Sequence, residues 1–187
     1  MRRTVFLLFF LTCGVRAVSA QPAIEMRGAF GASNYLHADL DYTAPTLLVA
    51  ARLGAGAFAI EPEFASSWHE ETQTFGPNVT TVSNDRFQSL AVNLIGRTAG
   101  RVAGYAGAGV GMYWERSQYR VNDPFAGYEQ SRRRGPRPGA QAIAGVDVTV
   151  APRVKAFAQF RYEMRSFEDP GGGSVMQGFA GVSIVLR

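Results

Sequence analysis

The stretch YAGAGVGMYWE, residues 105–115, places a glycine at every second position, Gly107, Gly109 and Gly111, between two tyrosines. The residues that alternate with these glycines are apolar, which is the period-two pattern of a β-strand with two different faces. Glycine weakens a strand because it costs chain entropy and offers no side chain to pack. A strand that keeps three glycines on one face must therefore gain from the missing side chains.

Outward from this stretch, the same alternation recurs along the chain and predicts an all-β fold of eight antiparallel strands. The strands are predicted at residues 23–31, 46–54, 57–66, 86–96, 102–114, 139–150, 153–165 and 175–186. Short turns alternate with longer segments that are predicted as loops, so all the long loops would lie at one end. This sorting is typical of up-and-down outer-membrane barrels.

The seventh predicted strand separates its two faces most clearly. Ala156, Phe160 and Met164 alternate with Arg161 and Glu163. A soluble barrel would bury the apolar set, whereas a transmembrane barrel turns it toward lipid. Several members of the apolar sets are alanines, which would fill a soluble core poorly. The pattern therefore favours an eight-stranded antiparallel transmembrane β-barrel.

An eight-stranded barrel has an interior that is only wide enough for side chains. Charged residues on the inward face should therefore form a paired, hydrogen-bonded network that plugs the lumen. The predicted network consists of Arg27, Arg52, Glu61, Glu63, Asp147 and Arg161, with room for side chains from facing strands provided by Gly107, Gly109 and Gly111. The alternative is that the glycines mark bulges or sheet coiling. Pro62 predicts a bulge near the rim. Tyr113, Trp114 and Trp68 predict an aromatic girdle near the loop end.

Residues 1–20 have the layout of a secretory signal peptide: a basic start, an apolar run and VSA before Gln21. A lipidation site at Cys13 is the rival interpretation. Cleavage leaves residues 21–187 as one barrel domain without cysteine, and it lowers the formal net charge from +4 to about +1. Such a balance predicts no binding to nucleic acid. No other apolar run approaches the ~20 residues of a transmembrane helix.

Four segments, AIEPEF at 59–64, LAVNLIGR at 90–97, YAGAGVGMYW at 105–114 and QFRYEM at 159–164, follow one another in order. With them the chain resembles the small bacterial outer-membrane β-barrel family related to opacity proteins and the barrel half of the OmpA group. The resemblance implies an eight-stranded barrel in the bacterial outer membrane, with roles from envelope anchoring to host contact. Such proteins often end in an aromatic residue, whereas this chain ends SIVLR, with Leu186 expected to serve instead.

Enzymatic and metal chemistry are weakly supported. His37 and His69 both fall in predicted external loops, and SSWHEE brings Ser66 and Ser67 near the second histidine. Neighbouring loop residues do not make a catalytic arrangement, which needs its members brought together in space. A metal site would add Asp39, Asp41, Glu70 and Glu71, whose spacing matches no metal motif. We therefore predict no catalytic residue, no metal and no cofactor.

The strongest charge cluster is SRRRGPRPG at 131–139, within a predicted external loop. Its possible contact residues are Arg132, Arg133, Arg134 and Arg137. Charge alone would let this loop contact anionic lipopolysaccharide, host glycans or a protein partner. The alternative is an ordinary solvated loop end.

The leading functional hypothesis is a non-enzymatic, monomeric outer-membrane protein with a plugged lumen and long external loops, serving envelope structure or surface interaction. Its expected partners are outer-membrane lipid, lipopolysaccharide, the barrel-assembly machinery and an external ligand or host surface. The alternatives are a porin-like channel for small solutes, a lipid-modifying enzyme and a soluble secreted barrel.

Overall fold

The computed structural model describes residues 23–36, 43–75, 78–165 and 173–186. Eight antiparallel strands close into one barrel, in which each strand pairs with its neighbours in the chain and β1 pairs with β8. The strands are β1 (Ala23–Leu36), β2 (Thr43–Ala55), β3 (Phe58–Phe75), β4 (Val79–Arg97), β5 (Val102–Asn122), β6 (Tyr128–Ala151), β7 (Val154–Arg165) and β8 (Ser174–Leu186). The predicted fold class is confirmed. The predicted signal peptide and His37 lie outside the described residues.

No helix in the described part of the chain is long and apolar enough to cross a membrane.

Two of the predicted long loops are wrong. The segment 67–85 is mostly strand, because β3 continues to Phe75 and β4 begins at Val79. The segment 115–138 is likewise taken up by the extensions of β5 and β6. The first segment contains four threonines and two valines, and both segments contain aromatic residues, all of which favour extended backbone. Polar residues on both faces conceal the alternation that marks the rest of each strand.

The extensions of β3, β4, β5 and β6 form a four-stranded sheet that rises beyond the closed part of the barrel. β2 pairs with β3 only as far as Ser67, and β7 pairs with β6 only from Gly139. We call residues 68–75, 79–88, 114–122 and 128–138 the wall. Its inner strands stay paired, since β4 and β5 are in register from Arg97 up to Thr80. Its two edges are β3 and β6.

The barrel has an apolar exterior and a charged interior. On the outer face, Val110 is 69% exposed and Leu94 is 63% exposed, whereas Arg52 inside is 1% exposed. Arg161 and Glu61 inside are both fully buried. A soluble barrel has the reverse arrangement, with its charges toward water, so the inside-out assignment made from the alternation is the observed one.

Apolar side chains separate the charged groups inside the barrel. One buried cluster comprises Ala29, Leu48, Ala65, Phe157 and Phe179. The bulge predicted at Pro62 is wrong, because Pro62 pairs with Val92 within an unbroken β3–β4 register. Irregularities occur instead in the β5–β6 pairing between Tyr113 and Glu115 and in the β6–β7 pairing between Thr149 and Ala151.

Candidate functional site

The middle of the lumen holds a closed ring of two arginines and two carboxylates. Arg27 Nη1 lies 2.7 Å from Glu61 Oε2, and its Nη2 lies 3.1 Å from Asp147 Oδ1. Arg52 contacts the same two groups, at 2.6 Å from Glu61 Oε2 and 2.8 Å from Asp147 Oδ2. Each arginine thus bridges both carboxylates, and the formal charges cancel. The Tyr105 hydroxyl accepts a hydrogen bond from Arg27 at 2.9 Å.

A second charged layer lies closer to the wall. Arg161 Nη2 is 2.7 Å from Glu63 Oε2, and Arg161 Nη1 is 3.3 Å from Glu163 Oε1. Arg165 donates to the other oxygen of Glu163 at 2.8 Å. Gln141 donates to Glu63 Oε1 at 2.5 Å. This layer is also formally neutral, so two separate layers of paired charge cross the lumen.

All six charged residues of the predicted network thus lie buried in the lumen, where they form two layers. The sequence interpretation did not include Glu25, Gln141, Glu163 and Arg165 among the site residues. Glu25 pairs with Arg97 at 2.9 Å and with Lys155 at 2.5 Å near the short-turn end. Each of these residues occupies an inward-facing position in the alternation of its strand, so the alternation alone could have identified it.

The glycines of β5 make room for a neighbouring strand. A Cβ atom at Gly109 would overlap the Asn93 side chain and the carbonyl of Val92, and one at Gly107 would overlap Leu94 and Ile95 of the same strand. The expectation that charged side chains from facing strands fill this space is therefore incorrect in detail. In so narrow a barrel, strong curvature brings the inward side chains of adjacent strands together. Asn93 uses this room to accept a hydrogen bond from Gln141 at 2.6 Å.

Arginine also stacks on aromatic rings inside the barrel. The guanidinium of Arg27 lies 3.9 Å from the ring centre of Phe157, and that of Arg161 lies 5.2 Å from Phe179. Cation–π contact of this kind is strongest where water is excluded. The charged layers and the apolar cluster therefore pack directly on each other, and side chains fill the lumen.

The wall has a different character, because most of its side chains are exposed or half-buried on both faces. At its far end, exposed aromatic side chains gather around the β3–β4 and β5–β6 connections: Phe75 is 57% exposed, Tyr119 37%, Phe125 94% and Tyr128 55%. The rings of Tyr119 and Tyr128 are 6.1 Å apart. We call these four residues the tip. Exposed aromatics are enriched at contact surfaces between proteins.

The basic segment predicted as a loop is, among the described residues, an edge strand of the wall. Arg132, Arg133, Arg134 and Arg137 lie in β6, opposite Ser117, Arg116, Glu115 and Tyr113 of β5. Pro136 and Pro138 lie in the same part of the strand. Arginines and prolines on an exposed edge discourage pairing with another strand. An edge-protecting role thus accounts for the composition of this segment, and a contact role for these arginines remains a prediction.

The remaining candidate chemistry has little support in the geometry. His69 lies on β3 of the wall, opposite Asp85 of β4, rather than in a loop. Among the described residues, no three histidine, cysteine or acidic side chains come together as a metal site.

Comparisons with known proteins bear on the fold. No protein-family model matches the chain, and no curated protein matches it in sequence. Among solved structures, Neisserial surface protein A has 13% identity and a TM-score of 0.63, over 86% of this chain and 96% of that one. Ail, the attachment invasion locus protein of Yersinia pestis, solved with the heparin analogue sucrose octasulfate, has 13% identity and a TM-score of 0.62, over 89% and 100%.

The outer membrane protein OprG from Pseudomonas aeruginosa has 11% identity and a TM-score of 0.54, over 90% of this chain and 97% of that one. The chain has the fold of the small outer-membrane β-barrels. The resemblance inferred from the sequence segments is confirmed at the level of fold. Sequence identities of 11–13% show a shared fold only.

Proposed function

We propose that this chain is a non-enzymatic, integral protein of the bacterial outer membrane that uses its wall for attachment at the cell surface. The observation that carries the proposal is the exposed aromatic tip, held away from the barrel on paired strands. Aromatic side chains supply large contact areas at little conformational cost and dominate the energetics of many interfaces. A wall that served only envelope structure would not need to expose them.

The outer surface of the barrel supports the membrane location. Apolar side chains such as Phe30, Ile60 and Val92 are about half exposed on the outside, at 57%, 52% and 50%. Such a surface is costly in water but stable in hydrocarbon. The two neutral layers of buried charge support a closed lumen rather than a porin-like channel, because an open pore needs continuous water. Monomeric state and use of the barrel-assembly machinery belong to the same proposal.

Two of the similar structures are consistent with attachment. One is described as a surface protein, and the other as an attachment invasion locus protein with a bound heparin analogue. The basic residues of the wall would suit a sulfated polysaccharide of that kind, so immobilised heparin is a suitable probe beside whole cells.

The test compares bacteria that display the wild-type chain with bacteria that display F125A/Y128A. Fractionation and heat-modifiable migration in detergent gels first establish that each variant is a folded membrane barrel. Binding to cultured epithelial cells and to immobilised heparin is then measured. We expect the tip variant to lose about tenfold or more of its cell attachment, as for hot-spot aromatics.

The matched control is V102A/V150A, which removes exposed apolar side chains at the short-turn end. This control should attach like the wild type. Equal attachment by the tip variant, or wild-type display without attachment, would contradict the proposed role. Steady ion conductance by the wild type in planar bilayers would instead favour the channel hypothesis.

A further inference from the structure

Three arginines stand side by side on the outer face of the wall. Arg86 of β4 lies directly opposite Arg116 of β5, and Arg116 lies directly opposite Arg133 of β6. All three are exposed, and they continue the row that begins with Trp68 on β3. We call Arg86, Arg116 and Arg133 the arginine row. Side chains that face each other across strands have their Cβ atoms about 4.5–5.5 Å apart.

Like charges in this arrangement destabilise a sheet unless something neutralises them. Within the part of the chain that the structure describes, no carboxylate forms an ion pair with Arg86, Arg116 or Arg133. The contrast with the next charged row is clear, since Arg120 pairs with Glu129 at 3.0 Å. The arginine row thus carries positive charge that no ion pair with a carboxylate of the described residues neutralises.

The position of the row relative to the apolar surface identifies the anion. Toward the barrel, the next outward-facing residues after Arg86 and Arg116 are Gln88 on β4 and Trp114 on β5. The following row is apolar and consists of Phe64, Leu90, Met112 and Pro138. A strand rises about 3.3 Å per residue, so the arginines stand roughly 13 Å along the strand from the apolar row. Arginine side chains at such a border extend toward the polar headgroups of the membrane.

The charge is also confined to one side of the molecule. Among the described residues, β1, β2, β7 and β8 carry no charged side chain on their outer faces. A recess of about 430 Å³ opens beside the row, and its lining includes Trp68, Arg86, Arg116 and Gln118 together with the acidic residues Glu70 and Asp85. A ligand on the arginine row itself would have Trp68 beside it and the apolar row further along the strands toward the barrel.

We propose that the arginine row binds the phosphates of lipid A, the lipid anchor of lipopolysaccharide, while its acyl chains lie on the apolar surface below. Arginine is suited to this task because its planar fork donates paired hydrogen bonds to phosphate. Neighbouring guanidinium groups share the anionic charge and relieve their mutual repulsion. The site rests on the proposed membrane location but not on attachment by the tip.

The experiment uses the full barrel refolded in detergent, with bisphosphorylated lipid A as the probe. Binding is followed by native mass spectrometry and by the rise in the temperature at which the heat-modifiable band converts. The wild type should bind lipid A, and R86Q/R116Q should bind about tenfold or more weakly, because each lost charge-assisted hydrogen bond is worth about a factor of ten. The control R101Q/R153Q removes the same charge at the short-turn end and should bind like the wild type.

A second measurement separates binding from folding. Without lipid A, R86Q/R116Q should unfold at the same temperature as the wild type or higher, because the repulsion is relieved. Equal lipid A binding by R86Q/R116Q would overturn the proposal. So would equally tight wild-type binding of dephosphorylated lipid A, or the same stabilisation by inorganic phosphate alone. A wild type that shows no heat-modifiable barrel would instead contradict the membrane location. The attachment experiment is independent, because lipid A binding can be measured whether or not F125A/Y128A loses attachment.

Discussion

The closed barrel and the wall use charged residues in opposite ways. Inside the barrel, Arg27, Arg52 and Arg161 are almost fully buried and each meets a carboxylate. On the wall, Arg86 and Arg116 are exposed and face each other, and neither forms an ion pair within the described structure. The same strand alternation produces both results, because the closed part has an interior and the wall does not. Charge inside the barrel determines its stability, whereas charge on the wall is available for contacts.

The largest contrast should come from removing one buried carboxylate of the lumen and one exposed carboxylate of the wall. E61Q leaves Arg27 and Arg52 buried with only Asp147 to neutralise them, so we expect a loss of about 3–5 kcal/mol in the free energy of unfolding. E129Q breaks only the exposed pair with Arg120 and should cost about 1 kcal/mol or less. Urea unfolding in detergent or lipid vesicles measures both. Similar losses for the two variants would mean that the lumen ring is not the main electrostatic support of the fold.

A smaller contrast lies within a single strand. On β5, Gly109 faces inward against Asn93, whereas Gly104 faces outward with nothing within 4 Å of an added Cβ. G109A should therefore destabilise the barrel by about 1–3 kcal/mol through overpacking. G104A is the matched control, and it should be neutral or slightly stabilising because alanine has less chain entropy to lose. The same unfolding assay applies, and an equal tolerance of both substitutions would show that the lumen has spare volume.

The smallest effect should follow shortening of the wall. Replacing residues 72–82 by Asn-Gly joins Glu71 to its partner Ser83 through a two-residue hairpin turn. Most side chains removed are exposed or half-buried, so the barrel should lose about 1 kcal/mol or less of stability. Heat-modifiable migration and urea unfolding check this. A shortened chain that fails to form the barrel would show that the wall is needed for folding rather than for contact.

The closed part of the barrel was largely predictable from sequence. The narrow interior forces a strict choice of face, so alternation placed Arg52, Glu61 and Arg161 inside without knowledge of any contact. Which arginine meets which carboxylate was not predictable, because that depends on the stagger between strands far apart in the chain. Glu25 and Glu163 could have been added from the same alternation.

The wall was predicted poorly for two physical reasons. Polar residues on both faces of a strand remove the periodic signal, so 67–85 and 115–138 were predicted as loops. In the β5–β6 pairing, one residue lies between Tyr113 and Glu115, whereas two residues lie between their partners Arg137 and Arg134. An extra residue of this kind reverses the alternation beyond it. The row formed by Arg86, Arg116 and Arg133 became visible only once the register between strands was known.

The pairing of β1 with β8 has a consequence for how the molecule reaches its final state. Ser33 and Gln177 lie opposite each other in the β1–β8 pairing and share a hydrogen bond, although they are 144 residues apart in the chain. Glu25 likewise pairs with Lys155, which follows it by 130 residues. Contacts so remote in sequence form slowly. Until β7 and β8 have paired, the acidic and basic groups must stay hydrated, because unpaired charge in hydrocarbon is energetically costly. Full entry into the bilayer must therefore coincide with closure of the first strand on the last.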